Sequence, residues 1–563
     1  MKNWRIFFVF FFACFLSAAI IYRLICLQII NYQYWRALAQ GQQKFFLTLQ
    51  GKRGEIFFQD KTPLAVNRVF DLVYAAPKEI DNLQETAKRL SPVLGMEENL
   101  ILEKLKKDNY YEVIKKKISD QEAKKIKELN LAGIYLGQER GREYPFSSLA
   151  AQVVGFLGGD SKGQYGIEGY YDGLLTGRET IKELEKGPGG FLAKEESKGK
   201  QGIEDGADLV LTLDYNIQFM AEKILKEAEQ KLEFEKGEII VADPDTGKII
   251  ALANFPSFDP NKYSEVSNLE VFQNYSVQQV FEPGSVFKAI TMAAAIDQGK
   301  VTPETTYIDK GYVEVSGHKI FNYGNRTWGK RTMSEVLERS INTGAVFAEQ
   351  ELGNKSFMDY LYRFGIFEKT GIDLQGEIFS SNASFKEGYD INFATASFGQ
   401  GIEMTSIQLV RAISVIANGG RLMRPYLVEK IIKSCGEVLE KKPEVQNPSV
   451  ISKDTAVQVT AMLINVVEKG YGKAAKVPGY YVAGKTGTAQ VPWTSVGVNK
   501  KGYSGKTWQS FVGYAPALDP KFLILVKLYN PKTKTAEYSA APVFGELAKY
   551  IIDYWKIPPD YED

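Results

Sequence analysis

The chain has very few residues of the two types on which many catalytic and metal sites depend. Its 563 residues include one histidine and three cysteines. A Ser-His-Asp triad would need the single histidine, His318, and a histidine-rich metal centre is excluded. His318 lies in a predicted hairpin, VEVSGHKIFNYG, where a structural role is the simpler interpretation. Cys14, Cys26 and Cys435 are too few and too scattered for a zinc cluster or a disulfide framework.

The chain also lacks an excess of charge of either sign. Its 69 basic and 68 acidic side chains give a formal charge of +1. Binding to nucleic acid normally needs a basic face that neutralises phosphates, so no nucleic-acid partner is expected. No phosphate-binding Gly-Lys-Ser/Thr loop follows a predicted strand, and there is no internal repeat. The composition is that of a globular protein, and the length predicts two or three domains.

The long hydrophobic run lies at the N-terminus. Lys2 and Arg5 precede the uncharged residues 6–22, which nearly match a hydrocarbon core of about 30 Å. The small residues at 17–19 also fit a cleaved signal peptide. Apolar, helix-like sequence continues through Gln43, which favours an uncleaved anchor, although cleavage stays open. Basic residues keep the end that carries them cytoplasmic, so we expect a single-pass plasma-membrane protein with its remainder outside the cytoplasm.

The stretch FEPGSVFKAI places Lys288 three residues after Ser285. On a helix the two side chains share one face, where the lysine can take the proton of the serine hydroxyl. The same Ser-x-x-Lys pattern recurs at residues 197–200 and 316–319, in Gly-rich and hairpin-like sequence. Only the copy at Ser285 follows a Pro-Gly break and begins an alanine-rich helical run. This context makes Ser285 the candidate nucleophile among the three copies, but by itself it leaves an ordinary surface helix start as the simpler interpretation.

Two further motifs, Ser340-Ile341-Asn342 and Lys485-Thr486-Gly487-Thr488, complete the set that serine acyl-transferases use. The first ends a helical pattern, MSEVLERSI, and the second follows the strand-like YYVAG and predicts an edge strand along which an extended peptide could lie. Look-alikes at residues 380–382 and 369–371 lie in a polar loop and a turn. The order of the three motifs therefore predicts acyl-transfer chemistry.

With these motifs the chain resembles the monofunctional class B penicillin-binding proteins, the D,D-transpeptidases that cross-link bacterial peptidoglycan. Gln152 stands where the family often has histidine, and Ile341 where it has serine or cysteine, which leaves the chemistry intact and the subfamily open. The resemblance covers nearly the whole chain. It includes residues 53–67, 142–158, 166–177, 211–218, 241–261 and 394–409.

The resemblance implies an α+β protein in three parts. Residues 1–43 would be a cytoplasmic stub, a transmembrane anchor and a juxtamembrane helix. Residues 44–235 would be a mixed α/β pedestal of the dimerisation type. Residues 236–563 would be the transpeptidase domain, an antiparallel sheet packed by helices. Strand patterns in GEIIVADP, GKIIALAN, SFVGYAPA and KFLILVKLY fit that sheet. The pedestal segment carries no motif of a glycan polymerase, so another enzyme would polymerise the strands.

The resemblance also implies a role for each motif residue. Ser285 would attack the penultimate D-alanine, with backbone amides of Ser285 and Thr488 as oxyanion donors. Lys288 would be the base, and its ordinary pKa of about 10.4 would have to be lowered by burial and by Lys485. Ser340 would relay a proton and Asn342 would hold the substrate amide. No metal or cofactor is implied. Substrate binding would fall to Lys485, Thr486, Gly487 and Thr488.

Other functions use the same motifs. A D,D-carboxypeptidase or a β-lactam-hydrolysing enzyme would transfer the acyl group to water, and a β-lactam sensor or scaffold would bind without turnover. The pedestal segment argues against the compact β-lactamases, and complete motifs argue against a dead scaffold. The implied partners are peptidoglycan stem peptides, β-lactams as inhibitors, a membrane glycan polymerase and divisome proteins. The sequence favours the septal type over the elongation type. It leaves the acceptor amine, the β-lactam affinity and the oligomeric state open.

Overall fold

The computed structural model describes residues 3–32, 44–186, 192–193, 204–500 and 502–562. The chain forms two compact units, Met1–Arg53 with Thr176–Gly206, and Gly54–Leu175 with Ala207–Asp563. The first unit contains the helix Asn3–Ile25, which continues as a π-helical segment, Cys26–Ile30. Its antiparallel sheet consists of Lys44–Gln50, Glu179–Lys186 and Leu192–Ala193.

The N-terminal helix fits the predicted anchor. Asn3–Ile30 is the one candidate among the described residues that is long and apolar enough to cross a membrane, and none of it is buried. At about 1.5 Å per residue, a helix of 23 residues exceeds a hydrocarbon core of about 30 Å. A signal sequence has the same properties, so cleavage stays an open alternative. The predicted juxtamembrane helix falls on residues 33–43, which lie outside the described residues.

The second unit begins with a mixed sheet. Its strands run in the order Val438–Glu440, Val428–Ile432, Asp208–Leu211, Ile56–Phe57, Pro63–Ala75 and Glu112–Ile118, with Ile134–Glu143 also paired to Pro63–Ala75. The spacing of Ser119 and Glu122 in the sequence predicts a capping box, and the structure has it at the start of helix Asp120–Leu129. Because Asp208–Leu211 pairs with Val428–Ile432, one sheet crosses the predicted boundary at 235/236. The division into three parts stays a prediction.

The predicted antiparallel sheet packed by helices is confirmed. Five strands lie in the order Ile249–Phe255, Lys236–Ala242, Phe522–Tyr529, Tyr503–Ala515 and Ala483–Pro492. Every neighbouring pair is antiparallel, and the first two form the predicted hairpin. The strand that carries Lys485 lies at the edge, as predicted.

Two hydrophobic cores cover the two faces of this sheet. Successive strand residues point to opposite faces, so Phe522 belongs to one core and Leu523 to the other. Helices Tyr215–Leu232 and Ala540–Trp555 cover the first face. Ser406–Ala417 and Lys453–Glu468 cover the second, and the helix Lys288–Asp297 packs against them. The helix that begins at Lys288 is thus buried in the core on the second face of the sheet.

The remaining elements of the second unit are short. Its other strands are Phe156–Leu157, Gly163–Gln164, Val280–Phe281, Thr306–Asp309, Tyr312–Val315, His318–Phe321, Gly329–Thr332, Met404–Thr405, Leu422–Met423 and Val445–Asn447. Its other α-helices are Leu83–Leu94, Glu98–Leu105, Ala151–Val154, Gly166–Tyr170, Asp172–Leu175, Tyr275–Gln278, Met333–Glu338, Asn342–Leu352, Asn354–Arg363, Ala383–Lys386 and Asp390–Ala396. The 3-10 segments are Pro77–Glu79, Pro260–Glu265, Leu269–Phe272, Gly284–Phe287, Tyr323–Asn325, Lys473–Ala475, Trp493–Val496 and Ala536–Tyr538.

Replacing Phe511 by alanine should lower the free energy of unfolding by about 3–5 kcal/mol, because it leaves a large cavity in the core. The Phe511 ring is fully buried and lies 4.7 Å from that of Phe544. Urea unfolding of the purified protein measures the loss. Leu518→Ala, at an exposed position, is the control and should change the value by less than about 0.5 kcal/mol. Equal losses in the two variants would contradict this packing.

Candidate active site

Ser285 and Lys288 lie at the junction of two helical segments. Ser285 is in the 3-10 turn Gly284–Phe287, and Lys288 begins the α-helix Lys288–Asp297. The sequence predicts a single helix for both residues, and the structure differs only in the tighter first turn. Gly284 has φ of 58°, and a Cβ there would lie 2.9 Å from the Cβ of Ala489. A glycine at 284 therefore lets the turn pack closely against the Lys485 strand.

The Lys288 amine is the hub of the site. Its Nζ lies 3.1 Å from Ser285 Oγ, which confirms the predicted proximity. The same atom lies 2.7 Å from the Ser340 carbonyl oxygen, 3.2 Å from Ser340 Oγ and 2.8 Å from Asn342 Oδ1. The first and second motifs therefore meet at one nitrogen.

These four distances suit a neutral amine. The two shortest go to the Ser340 carbonyl and the Asn342 amide oxygen, which only accept hydrogen bonds. A neutral amine has two N–H groups for those acceptors and one lone pair left. The two longer distances go to hydroxyls, which can donate to that lone pair. The geometry therefore allows Lys288 to receive the proton of Ser285.

The Ser340–Asn342 segment forms a sharp break between helices Met333–Glu338 and Asn342–Leu352. Ser340 has φ of 53°, a left-handed conformation that is uncommon for residues other than glycine. Asn342 donates from Nδ2 to the carbonyl of Phe321 at 3.1 Å. Because the amide nitrogen is engaged there, its oxygen is directed to Lys288.

Lys485 lies on the other side of Ser340. Its Nζ is 3.1 Å from Ser340 Oγ and 3.1 Å from the carbonyl of Thr486. The Thr486 hydroxyl is 3.4 Å away. Ser340 Oγ is therefore within hydrogen-bond reach of both lysines, a position suited to passing a proton between them.

Both lysines are buried, and neither has an ion-pair partner within 4.0 Å in the part of the chain that the structure describes. Burial lowers the pKa of Lys288 well below its ordinary value, and the charge of Lys485 lowers it further. Burial also lowers the pKa of Lys485, to about 7. These are the two causes expected from the sequence. A low pKa supplies the neutral amine that a base requires.

The rest of the third motif forms the strand surface beside the nucleophile. A Cβ on Gly487 would lie 3.1 Å from the carbonyl oxygen of Pro283 and 2.5 Å from Ser510 Oγ. Only a residue without a side chain lets the strand approach the Ser285 turn so closely. Thr488 Oγ1 accepts a hydrogen bond from the backbone of Ala536 at 3.2 Å, which leaves the Thr488 hydroxyl proton for another acceptor.

The look-alike motifs have structural partners. Thr370, in the second Lys-Thr-Gly, donates from its amide and its hydroxyl to Glu377. Ser380 donates to Glu403. Ser316 lies in the turn between strands Tyr312–Val315 and His318–Phe321, the hairpin predicted around the single histidine. The copy at residues 197–200 lies outside the described residues.

Sequence reasoning missed Glu282, three residues before Ser285. Its carboxylate accepts hydrogen bonds from the amide of Gly401 at 3.0 Å and from the hydroxyl of Tyr503 at 3.2 Å. Burial raises the pKa of Glu282 to about 7. Its adjacency to the Pro-Gly-Ser motif was the available signal, whereas Gly401 and Tyr503 are too distant in sequence to be linked to it.

Two segments of the chain match known families. Residues 237–549 match the penicillin binding protein transpeptidase domain, and residues 48–211 match the penicillin-binding protein dimerisation domain. Stage V sporulation protein D of Bacillus subtilis is 34% identical over 97% of this chain and 85% of its own length. The chain belongs to the class B penicillin-binding proteins. The resemblance inferred from the motifs is thereby confirmed.

Other class B relatives support the same assignment. A probable peptidoglycan D,D-transpeptidase PbpC of Pseudomonas aeruginosa is 29% identical over 99% of this chain and 96% of its own length. A crystal structure of penicillin-binding protein 3 from Mycobacterium tuberculosis, complexed with aztreonam, has a TM-score of 0.71. It is 25% identical and covers 92% of this chain and 98% of its own. This chain is therefore a penicillin-binding transpeptidase that cross-links the cell wall.

Gly487→Ala should slow acylation by a fluorescent penicillin by about 10- to 100-fold, since a displacement of about 1 Å at a reacting group can cost ~10²-fold. The added Cβ would push the strand away from the Ser285 turn. Stopped-flow acylation measures the rate. Gly505→Ala is the matched control on the neighbouring strand, where a Cβ meets nothing within 4 Å. Equal rates for Gly487→Ala and the wild type would contradict the close approach.

Proposed function

We propose that Ser285 is the acylated nucleophile of a D,D-transpeptidase and that Lys288 is its general base. The observation that carries the proposal is the position of the buried Lys288 amine, 3.1 Å from Ser285 Oγ and beside two obligatory acceptors. A lone pair aimed at a hydroxyl is what proton abstraction requires.

In the acylation step, Ser285 Oγ forms a bond to the carbonyl carbon of the penultimate D-alanine, and the hydroxyl proton passes to Lys288. Backbone amides of Ser285 and Thr488 stabilise the oxyanion, by analogy with the family. The bond to the terminal D-alanine nitrogen then breaks. Ser340, between the two lysines, delivers the proton to that leaving amine.

In the second step, the amine of another stem peptide attacks the acyl-enzyme. Its carbon–nitrogen bond replaces the ester bond to Ser285, and the proton that the amine loses returns to Ser285 Oγ through Lys288. Asn342 holds Lys288 and the substrate amide in place. Lys485, Thr486 and Thr488 bind the donor carboxylate, with Gly487 allowing its approach.

The proposed topology follows from the N-terminal sequence. Lys2 and Arg5 hold the N-terminus in the cytoplasm, Asn3–Ile30 spans the plasma membrane, and the catalytic residues face outward. Residues 44–235 act as the pedestal and residues 236–563 as the transpeptidase domain. A membrane glycan polymerase supplies the strands, because transpeptidation alone makes no glycan.

The proposed setting is synthesis of the septal wall together with division proteins. Relatives include a peptidoglycan D,D-transpeptidase FtsI homolog, 28% identical over 96% of this chain. The sporulation protein of Bacillus subtilis suggests a second setting, in which the same reaction serves spore formation. The chemistry at Ser285 is identical in both.

Ser285→Ala should abolish labelling by a fluorescent penicillin, because Ser340 has the only other hydroxyl that hydrogen-bonds the Lys288 amine among the described residues. Gel fluorescence of the purified protein measures the label. Ser316→Ala and Ser197→Ala are matched controls at the other Ser-x-x-Lys copies and should label fully. Incubation with a D-alanyl-D-alanine stem peptide and an amine acceptor then tests the transfer step. Label retained on Ser285→Ala would refute the proposed nucleophile. Release of free acid without cross-linked product would indicate a carboxypeptidase.

Lys485→Gln should move the rising limb of the acylation pH profile to higher pH. The charge of Lys485 lowers the pKa of Lys288. Removing that charge raises this pKa, so a higher pH is needed to form the neutral base. Acylation rates measured between about pH 5 and 10 locate the limb in each protein. Lys485→Arg keeps a positive charge at this position throughout the range, so its limb should not move to higher pH. A limb that stays fixed or moves down in Lys485→Gln would refute the assignment of Lys288 as base.

A further inference from the structure

Asp309 is a buried carboxylate at the end of strand Thr306–Asp309, only 2% exposed. Four neutral groups donate to it. The amide of Gly311 and the hydroxyl of Thr343 reach Oδ1 at 2.9 and 2.8 Å. The side-chain amide of Asn322 and the backbone of Trp328 reach Oδ2 at 2.9 and 2.7 Å. Within the described ranges no lysine or arginine lies within 4.0 Å of this carboxylate.

Two of these donors connect Asp309 to Asn342, one through the helix that contains Asn342 and one through the strand that holds its side chain. Thr343 follows Asn342 directly in the chain. Asn322 follows Phe321, whose carbonyl accepts the side-chain N–H of Asn342 at 3.1 Å. Asn322 and Thr343 are also joined to each other, since Asn322 Oδ1 accepts from the amide of Thr343 at 3.1 Å. The carboxylate therefore fastens together the helix start and the hairpin strand between which the Asn342 amide is held.

The direction of the Asn342 amide depends on this junction. Its oxygen reaches Lys288 at 2.8 Å only while its nitrogen is satisfied by the Phe321 carbonyl. A shift of strand His318–Phe321 relative to helix Asn342–Leu352 would release the nitrogen and let the amide rotate. The Lys288 amine would then lose one of its two obligatory acceptors.

A neutral side chain could join these elements at lower cost, because burying a charge without a counter-ion is unfavourable. A carboxylate has the advantage that both oxygens only accept, and each can take two donors. Four donors, from its own turn, from the loop that contains Asn322 and Trp328, and from the start of helix Asn342–Leu352, can therefore converge on one group. Hydrogen bonds to a charged acceptor are also stronger than neutral ones, which makes the junction stiff.

We propose that Asp309 is a positioning residue for the acyl-transfer reaction, which acts through Asn322 and Thr343 to hold the Asn342 amide against Lys288. The inference rests on the proposed roles of Lys288 and Asn342. Asp309 itself contacts neither lysine nor Ser285, so its effect reaches the nucleophile only through Asn342.

The test compares Asp309→Asn with Asp297→Asn in the full chain. Asp297 ends the helix that Lys288 begins, and it also accepts hydrogen bonds from neutral donors, those of Ser452, Thr455 and Tyr360. Both variants lose a carboxylate from a hydrogen-bonded network, so both should unfold more easily. Stopped-flow acylation by a fluorescent penicillin should fall by about 10- to 100-fold in Asp309→Asn alone, as expected for a misplaced catalytic group.

A double-mutant cycle with Asn342→Ala separates positioning from general loosening of the fold. If Asp309 acts through Asn342, Asp309→Asn should have little further effect once Asn342 is replaced by alanine. In the Asn342→Ala background it should lower the acylation rate by less than about twofold, because residues that act through one network have non-additive effects. An unchanged 10- to 100-fold loss in that background would overturn the inference. So would equal acylation rates in Asp309→Asn and Asp297→Asn.

Thr343→Val provides the same comparison if Asp309→Asn does not fold. It removes one hydroxyl donor and keeps the branched shape of the side chain. Acylation should fall in Thr343→Val and should not fall further when Asn342→Ala is present. Ser285→Ala, measured in parallel, keeps the two levels of the argument apart. Label on Ser285→Ala would refute the proposed nucleophile, whereas normal acylation of Asp309→Asn and Thr343→Val with an unlabelled Ser285→Ala would refute only the positioning role.

Discussion

The burial of two lysine amines, with no counter-ion among the described residues, is the constraint on which the site depends. Lys527, on the central strand Phe522–Tyr529 of the same sheet, shows the usual solution, because it is equally buried but forms an ion pair with Glu238. Lys288 and Lys485 face each other across a serine hydroxyl instead. A charged amine is unfavourable in such surroundings, so burial lowers the pKa of both lysines and favours the neutral Lys288 that acyl transfer needs. Among the residues that the structure describes, no carboxylate oxygen lies within 4.0 Å of either nitrogen.

Three separate parts of the chain must meet to create this environment. The Ser285 turn and its helix rest on the helices that cover the sheet, the left-handed break at Ser340 brings a carbonyl and a hydroxyl to Lys288, and the edge strand contributes Lys485. Glycines at 284 and 487 permit the close contact between turn and strand. The reactive atoms are thus held by rigid elements and by backbone approach, which favours precise geometry over adaptability.

Much of the site could be predicted from the sequence because its motifs are local. Ser285 and Lys288 are three residues apart, and helix geometry alone places them together. Short patterns also encode three parts of the fold. They are the strand at Lys485, the hairpin of strands Lys236–Ala242 and Ile249–Phe255, and the capping box at Ser119. Pairings over long distances are different. No local pattern joins Asp208–Leu211 to Val428–Ile432, or Asp309 to Thr343, since the partners become neighbours only after the chain has folded.

The edge position of Ala483–Pro492 has a consequence for what the enzyme can discriminate. A ligand that binds by pairing with an exposed strand is recognised through its peptide groups, which are the same in every stem peptide regardless of side chains. Variation in the cross-linking residue would therefore be tolerated at this edge. Selection between different stem peptides would then have to come from contacts with their side chains, outside the backbone pairing at this edge.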